Sequence, residues 1–358
     1  MKVLFLYRYG ILGGVCTQLF HRFRHIPADS GIEIHCGFRS DHGVQEMLSR
    51  HATLHFGLNK NTTISFLREN TFDKIIIIDS EEYIEAIREV ELKGTVLVEV
   101  HTSIERNLEY LSRIETSDID GFVTVSKYMI DRIEHHIKPE LASMEIKRFQ
   151  NVLDTEIFVP EEVTSDGLPV VAWVGKIDEH KDWKAFMRIA SSIHEQNAGV
   201  EFWIIGGQTC PESRVLEVFD FAEEMNILSR FRWIDRVENL MMPKLYSLVA
   251  NRGGLSLVTS HCESFGMSVL ESLLSGCPIV TSNVGALPEI TDSGDYFQLY
   301  DLHDYDSAAN MCLETIANSS NVRDSLTAIR DSLVKEYSSK MRSKEYWNLL
   351  KSIGELHE

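Results

Sequence analysis

Short apolar runs alternate with amphipathic stretches along most of this 358-residue chain. Val3–Tyr7 is the first run, a glycine-bearing turn from Gly10 to Gly14 follows it, and the pattern from Val15 onward has helical spacing. Further runs of strand length lie at Ile32–Gly37, Lys74–Asp79, Thr95–Val100 and Gly121–Ser126, with helical stretches such as Ser80–Leu92 and Ile104–Ile114 between them. This alternation predicts an α/β fold with a mostly parallel sheet and helices on both faces. From Asn151 to Gly167 the pattern breaks into an irregular, acidic segment which, through Pro169, holds two prolines and reads as a linker. A second α/β half then starts. Its strands are expected at Val170–Val174, Glu201–Gly206, Phe231–Ile234, Leu255–Thr259 and Pro278–Thr281, with a loop over Gly175–Asp182 and a helix over Trp183–Gln196. Ser338–Ile353 has the pattern of a last amphipathic helix. Two such halves imply a cleft between them, with ligands at the carboxyl ends of the strands.

Composition narrows the class. No apolar run approaches the roughly 18 residues that span a bilayer, and the N-terminal MKVLFLYRYG lacks the long apolar stretch and cleavage site of a signal peptide. A cytoplasmic enzyme is the expectation. The net charge of −19 disfavours nucleic acid as a partner. That charge is uneven: residues 1–150 hold 18 Lys+Arg against 22 Asp+Glu, and residues 151–358 hold 17 against 32. His21, Arg22, Arg24 and His25 form a local basic cluster, expected as a solvated helix face, or else as a weak contact with an anionic acceptor or a membrane surface. Six scattered cysteines without a C-x-x-C pair read as reduced thiols, neither a disulfide framework nor a zinc site. Asp79-Ser80-Glu81 could suggest metal-binding acids, but it lies in the half without the expected phosphate site.

The chemistry centres on Glu263 to Glu271. The segment follows the strand-like LSLVTS and opens the helix-like MSVLESLLS, which Gly276 and Pro278 terminate. The first turn of such a helix has free N–H groups and the positive end of the dipole, so it suits a diphosphate. Gly266 lets the backbone come close to that anion. Glu271 lies five residues further on, roughly 7.5 Å along the axis, where a carboxylate can accept hydrogen bonds from ribose hydroxyls. Glu263, in the loop before the helix, faces the other way. Lys176 and Lys181 flank a loop after a strand in the acidic half, where two cations suit phosphate.

Together these motifs resemble the retaining glycosyltransferases of family four, which have the GT-B fold, and the resemblance covers nearly the whole chain. Glu263 and Glu271 match the family's E-x(7)-E signature. Gly13-Gly14-Val15 resembles its N-terminal glycine loop, His101 sits where the family has a histidine near the reacting sugar, and Val125-Ser126-Lys127 resembles a strand-end V-S segment. Asn151-Val152-Leu153-Asp154 resembles the N-G-x-D linker, Val174-Gly175-Lys176 with Lys181-Asp182 the V-G-R…K-G clamp, and Gly285-Ala286-Leu287-Pro288-Glu289-Ile290 the G-G-x-P-E-I segment. Lys176, Asp182 and Ser264 depart from the usual Arg, Gly and Gly, and Ala250–Gly254 reads as a glycine-bearing insertion that forms a mobile loop.

The resemblance implies two Rossmann-like domains, an acceptor-binding one over 1–160 and a nucleotide-sugar-binding one over 161–337, with a helix over 338–358 that crosses back to the first. It implies transfer of a sugar from a nucleotide-diphosphate sugar to a hydroxyl of a sugar, glycolipid or small-molecule acceptor. Configuration would be retained, with no cofactor and no metal, in cell-surface polysaccharide, glycolipid or glycoside biosynthesis. His101, Glu263, Lys176 and Lys181 are the expected catalytic residues. Gly13, Gly14, Gly175, Val237, Phe265, Gly266, Met267 and Glu271 are the expected donor-binding ones. Rival readings are a sugar-nucleotide epimerase of the same fold, a non-catalytic binding subunit, and an oxidoreductase, the last disfavoured because Gly10 to Gly14 lacks the G-x-G-x-x-G spacing.

Overall fold

The computed structural model describes residues 1–27, 30–207, 210–292 and 294–353, so the last five residues of the expected terminal helix lie outside it. The chain divides into two compact units, 1–154 with 337–358, and 155–336.

Among the described residues, the first unit is built on seven parallel strands: β1 (Lys2–Tyr7), β2 (Glu33–Gly37), β3 (Thr53–His55), β4 (Lys74–Ile78), β5 (Thr95–Val100), β6 (Gly121–Thr124) and β7 (Ile146–Arg148). They lie in the order β3-β2-β1-β4-β5-β6-β7. The central strand β4 reads KIIII and is buried along its length, as a parallel strand covered on both faces requires. The helix Gly14–Arg24 packs against the terminal helix Ser339–Ser352. Tyr346, Trp347 and Leu350 of that terminal helix join the first unit's core with Phe5, Phe23 and Phe149. Ser338 caps it, its hydroxyl accepting from the Met341 N–H.

The expected basic surface cluster is a correction. His21 and Arg22 are buried. The Arg22 guanidinium donates to Glu99 at 2.5 Å and to the Tyr346 hydroxyl at 3.1 Å, while Arg24 and His25 both approach Asp154. Arg22 thus belongs to the core, and of these four residues only Arg24 is exposed. Asn151 and Asp154 are themselves buried, and the division between the two units falls after Asp154, inside the expected linker. The helix expected over Ser80–Leu92 spans only Glu81–Ile87, and that over Ile104–Ile114 is one short α-turn, Glu105–Leu108, followed by a tighter turn to Arg113.

The second unit holds six parallel strands among the described residues: β8 (Val170–Val174), β9 (Glu201–Ile205), β10 (Phe231–Ile234), β11 (Leu255–Val258), β12 (Ile279–Ser282) and β13 (Phe297–Tyr300). Their order is β10-β9-β8-β11-β12-β13. Trp173, Trp183, Phe186 and Phe202 anchor its core. The Ala250–Gly254 stretch is not a mobile loop. It ends the helix Met242–Asn251 in a Schellman turn, with Gly254 N–H donating to Val249 O at 3.0 Å and Gly253 at a φ of 74°. Arg252 is tied to Ser165 and Glu201 beside the Trp203 ring. Both sheets reverse strand order at one point, between β1 and β4 and between β8 and β11, where such folds bind ligands. Among the described residues no helix is long and apolar enough to cross a membrane.

Candidate functional site

In the second unit the reversal point is lined by two loops. One leaves β8 through Gly175 and Lys176 and reaches the helix Trp183–Gln196. The other leaves β11 at Thr259 and reaches the helix Met267–Leu274. Thr259 stitches them together: its hydroxyl lies 2.9 Å from the Trp173 indole nitrogen and 2.8–2.9 Å from the carbonyls of Lys181 and Asp182. His261 adds a backbone bond to His180 and a side-chain contact with Asp182 at 3.2 Å. Asp182, where the resembled pattern has Gly, adopts a left-handed φ of 47°. Its side chain offsets that strain by capping the helix at Ala185 N–H, 3.0 Å away.

Lys181 Nζ lies 2.5 Å from Glu263 Oε1, which also accepts from the Ser260 hydroxyl at 2.6 Å. Burial alone would raise the Glu263 pKa, but Lys181 and these bonds hold it below the ordinary value. The backbone of Glu263 is fixed from behind by Gly285, at a φ of 56°, where a Cβ would stand 2.2 Å from Glu263 O. Ala286 N–H donates to that same carbonyl at 2.9 Å. Gly266 has a φ of 100°, and a Cβ there would strike Leu287 at 2.4 Å, so both backbone and packing demand glycine. It precedes the helix N-terminus and carries no side-chain cap.

Glu271 is buried in that helix, with the Tyr246 hydroxyl 3.5 Å away. Burial raises its pKa to about 8, since neither Tyr246 nor the more distant Lys181 offsets the lost hydration. Lys176 is exposed, and its ammonium makes no ion pair among the described residues. Phe265 is buried, whereas Met267 and Val237, the latter in the loop after β10, are half-buried.

The first unit holds the other expected residues. Gly13 precedes the helix Gly14–Arg24 in an extended conformation, and a Cβ at either glycine would meet nothing within 4 Å. Neither internal packing nor left-handed backbone therefore explains this pair. His101, just beyond β5, is buried with Nε2 2.9 Å from Glu99 Oε1. An ionised carboxylate only accepts, so Nε2 carries a proton toward Glu99. Although burial opposes ionisation of Glu99, Arg22 and His101 bring its pKa down to about 2. The His101 backbone N–H donates to the Asp79 carboxylate at 3.0 Å. The supports around these residues were missed from sequence: Tyr246, Ser260, Thr259, Arg22 and Glu99. The one available signal was Glu99 itself, a lone charge in the apolar strand TVLVEV. Among the described residues no cluster of His, Cys, Asp or Glu could hold a metal ion.

Residues 168–318 match the family model described as Glycosyl transferases group 1. The 2-deoxystreptamine N-acetyl-D-glucosaminyltransferase of Niallia circulans is 24% identical over 186 residues, 52% of this chain and 46% of that protein. The chain thus spans about half the length of that relative, and 31% of a D-inositol 3-phosphate glycosyltransferase of Corynebacterium diphtheriae, 27% identical over 137 residues and 38% of this chain. Anabaena HepE, solved in complex with UDP and glucose, superposes with a TM-score of 0.82 at 16% identity over 98% of this chain and 100% of that one. The fold is GT-B, as expected from the sequence.

Proposed function

We propose that this chain, whose residues 168–318 match the glycosyl transferases group 1 family model, transfers a sugar from a nucleotide-diphosphate sugar to an acceptor hydroxyl, with retention and without a metal. The observation that carries this reading is the buried, poorly solvated Glu271 beyond an uncapped helix N-terminus, in one loop system with Lys181, Glu263 and Lys176. The relative and the neighbour just described, one named for sugar transfer and one holding UDP, support it.

In this reading the diphosphate meets the N–H groups after Gly266, Gly175 and the Lys176 ammonium. Lys181, held by Glu263, is shared with the phosphate as the glycosidic bond breaks and charge gathers there. Glu271 accepts the ribose hydroxyls, Val237 meets the base, and Phe265 and Met267 shape the phosphate turn. Glu263 orients the donor sugar. The leaving phosphate takes the acceptor proton, so no strong side-chain base is required, and two lysines supply the neutralisation that a metal gives elsewhere. In the first unit, the Gly13–Gly14 turn and the fixed His101 ring serve the reacting sugar. The reading implies cell-surface polysaccharide, glycolipid or glycoside biosynthesis.

Replacing both Lys176 and Lys181 with Ala should lower turnover about a hundredfold or more, as loss of transition-state charge stabilisation does elsewhere. Near-normal turnover, measured as nucleoside diphosphate release with acceptor present, would overturn the phosphate assignment. A thermal-shift panel of nucleoside diphosphates identifies the base, since a ligand that binds the native state raises the melting temperature with its affinity.

A further inference from the structure

The first unit has its own cavity of about 410 Å³ at its strand-reversal point, where the ends of β1 and β4 part. Its lining includes Asp79, Tyr7, Tyr9 and Tyr110. One feature of that lining has no internal explanation. The Tyr110 hydroxyl is buried, in a residue only 6% exposed, and has no hydrogen-bond partner among the described residues. A buried donor left unsatisfied is expensive, so such groups commonly wait for a ligand. Asp79 holds a left-handed φ of 42°, a strained state for a side chain with a Cβ, and its carboxylate receives the His101 N–H from within the fold. The same carboxylate borders the cavity.

The charges around this cavity are largely spent on each other. Arg113 is bound to Glu81 at 2.5 and 2.8 Å, Arg8 lies 3.6 Å from Glu82, and Glu85 is matched by Lys60 at 3.1 Å. Of the charged lining residues, that leaves Asp79 and the exposed Arg106. A phosphate dianion would face Asp79 with one solvated cation to balance it. A polyol would find a carboxylate acceptor, a phenol with an unused donor, and aromatic rings for its C–H faces.

We propose that this cavity binds the acceptor as a hydroxyl-rich group without phosphate, a sugar or cyclic polyol, with Asp79 accepting from one hydroxyl and Tyr110 donating to another. This rests on the transferase reading above, and it adds the acceptor's chemical class and the residues that select it. It also places the accepting carboxylate one hydrogen bond from the His101 backbone.

The test uses the full chain and ligand-observed saturation-transfer NMR, with glucose and myo-inositol as probes against glucose 6-phosphate and myo-inositol 3-phosphate. The unphosphorylated probes should bind, and the phosphorylated ones more weakly. Tyr110→Phe should weaken polyol binding about fivefold, the scale of one hydrogen bond. Since that hydroxyl has no internal partner, the variant should fold at least as well as the parent. Asp79→Asn should weaken binding about tenfold or more, as for a charged acceptor. Tighter binding of the phosphorylated probes, unchanged affinity in both variants, or no binding of either unphosphorylated probe overturns the proposal. A UDP thermal shift measured alongside separates the two readings. If UDP stabilises the protein and no polyol binds, only the acceptor assignment fails; if UDP has no effect while polyols bind as described, the cavity stands and the transferase reading is the one in difficulty.

Discussion

Glu99 in the first unit and Glu271 in the second are both carboxylates sealed from solvent, yet their surroundings treat the negative charge in opposite ways. Glu99 Oε1 receives Arg22 at 2.5 Å and His101 at 2.9 Å, and its pKa falls to about 2. Among the described residues Glu271 has only the Tyr246 hydroxyl at 3.5 Å, and its pKa climbs to about 8. Burial depth is therefore no guide to role. A buried acid whose partners are all internal holds the structure together, here by fixing which nitrogen of His101 is open. A buried acid without adequate partners is a group whose partner comes from outside, as expected of a ribose ligand.

The sharpest way to break this comparison is to remove Arg22. Arg22→Leu leaves Glu99 ionised, buried and half-partnered, and should destabilise the first unit by about 3–5 kcal/mol. Hydrogen exchange at β1 and β5 amides would read that loss. The double variant Arg22→Met with Glu99→Leu should recover much of it, because an apolar pair of similar volume replaces a buried ion pair at little cost. Turnover should stay low in the double variant, since His101 no longer has the acceptor that sets its tautomer. If the double variant is as active as the parent, Glu99 does not position His101. The pair also predicts an acid limb. Glu99 is at about 2 in the fold against 4.5 ordinarily, so its contribution is full above pH 4.5 and lost as pH falls toward 2.

How much of this contrast could be read from sequence depends on the element. The apolar strands were legible because a parallel strand buried on both faces must be a continuous apolar run, and β5 and β8 fall where the runs place them. The strands that escaped, β3, β7 and β13, all lie at sheet edges and are three or four residues long, so half-buried polar sequences such as IKR suffice there. Glu263 and Glu271 were legible as a spaced pair in a strand-loop-helix setting. Their opposite electrostatics were not, because Tyr246 and Lys181 reach them from 25 and 82 residues away. Arg22 escaped for the same reason: a helix sequence shows that a face is basic but not what packs on it. Likewise Asp182 looked like a departure from a glycine, whereas the structure keeps the left-handed backbone that a glycine would supply and stabilises it with a cap.

Glu271→Gln tests the other side of the comparison, with a smaller effect on the fold and of opposite sign. The Glu271 carboxyl is at about 8 in the fold and 4.5 ordinarily, so its folded form is favoured below pH 4.5 and that advantage is lost as pH rises toward 8. Removing the ionisable group should therefore raise stability at pH 8–9, by about 1–3 kcal/mol, the scale of an unsatisfied buried polar group. Nucleotide affinity should fall about tenfold, because a charged acceptor is exchanged for a neutral one. Thermal melts with and without UDP read both. A variant that loses stability and keeps its affinity would make Glu271 a structural acid like Glu99.

The finest test is Tyr246→Phe, which removes the one side-chain hydrogen bond that reaches the Glu271 carboxyl among the described residues. At 3.5 Å that bond is at the limit of useful length, so the effect should be near the low end for a hydrogen bond to a charged group, about 1 kcal/mol. Its sign depends on pH. The phenol donates, so it favours the ionised carboxylate, and its loss raises the Glu271 pKa further above about 8. Below pH 6 Glu271 is protonated in both proteins and affinity for the nucleotide sugar should nearly coincide. As pH rises the parent should gain affinity first, with the variant following at higher pH. A nucleotide sugar serves better here than UDP, because a terminal phosphate has its own proton near pH 6 that would mimic the effect. Superposed pH profiles for the two proteins would mean that the nucleotide never meets Glu271 as a carboxylate, and the contrast with Glu99 would then be one of solvation alone.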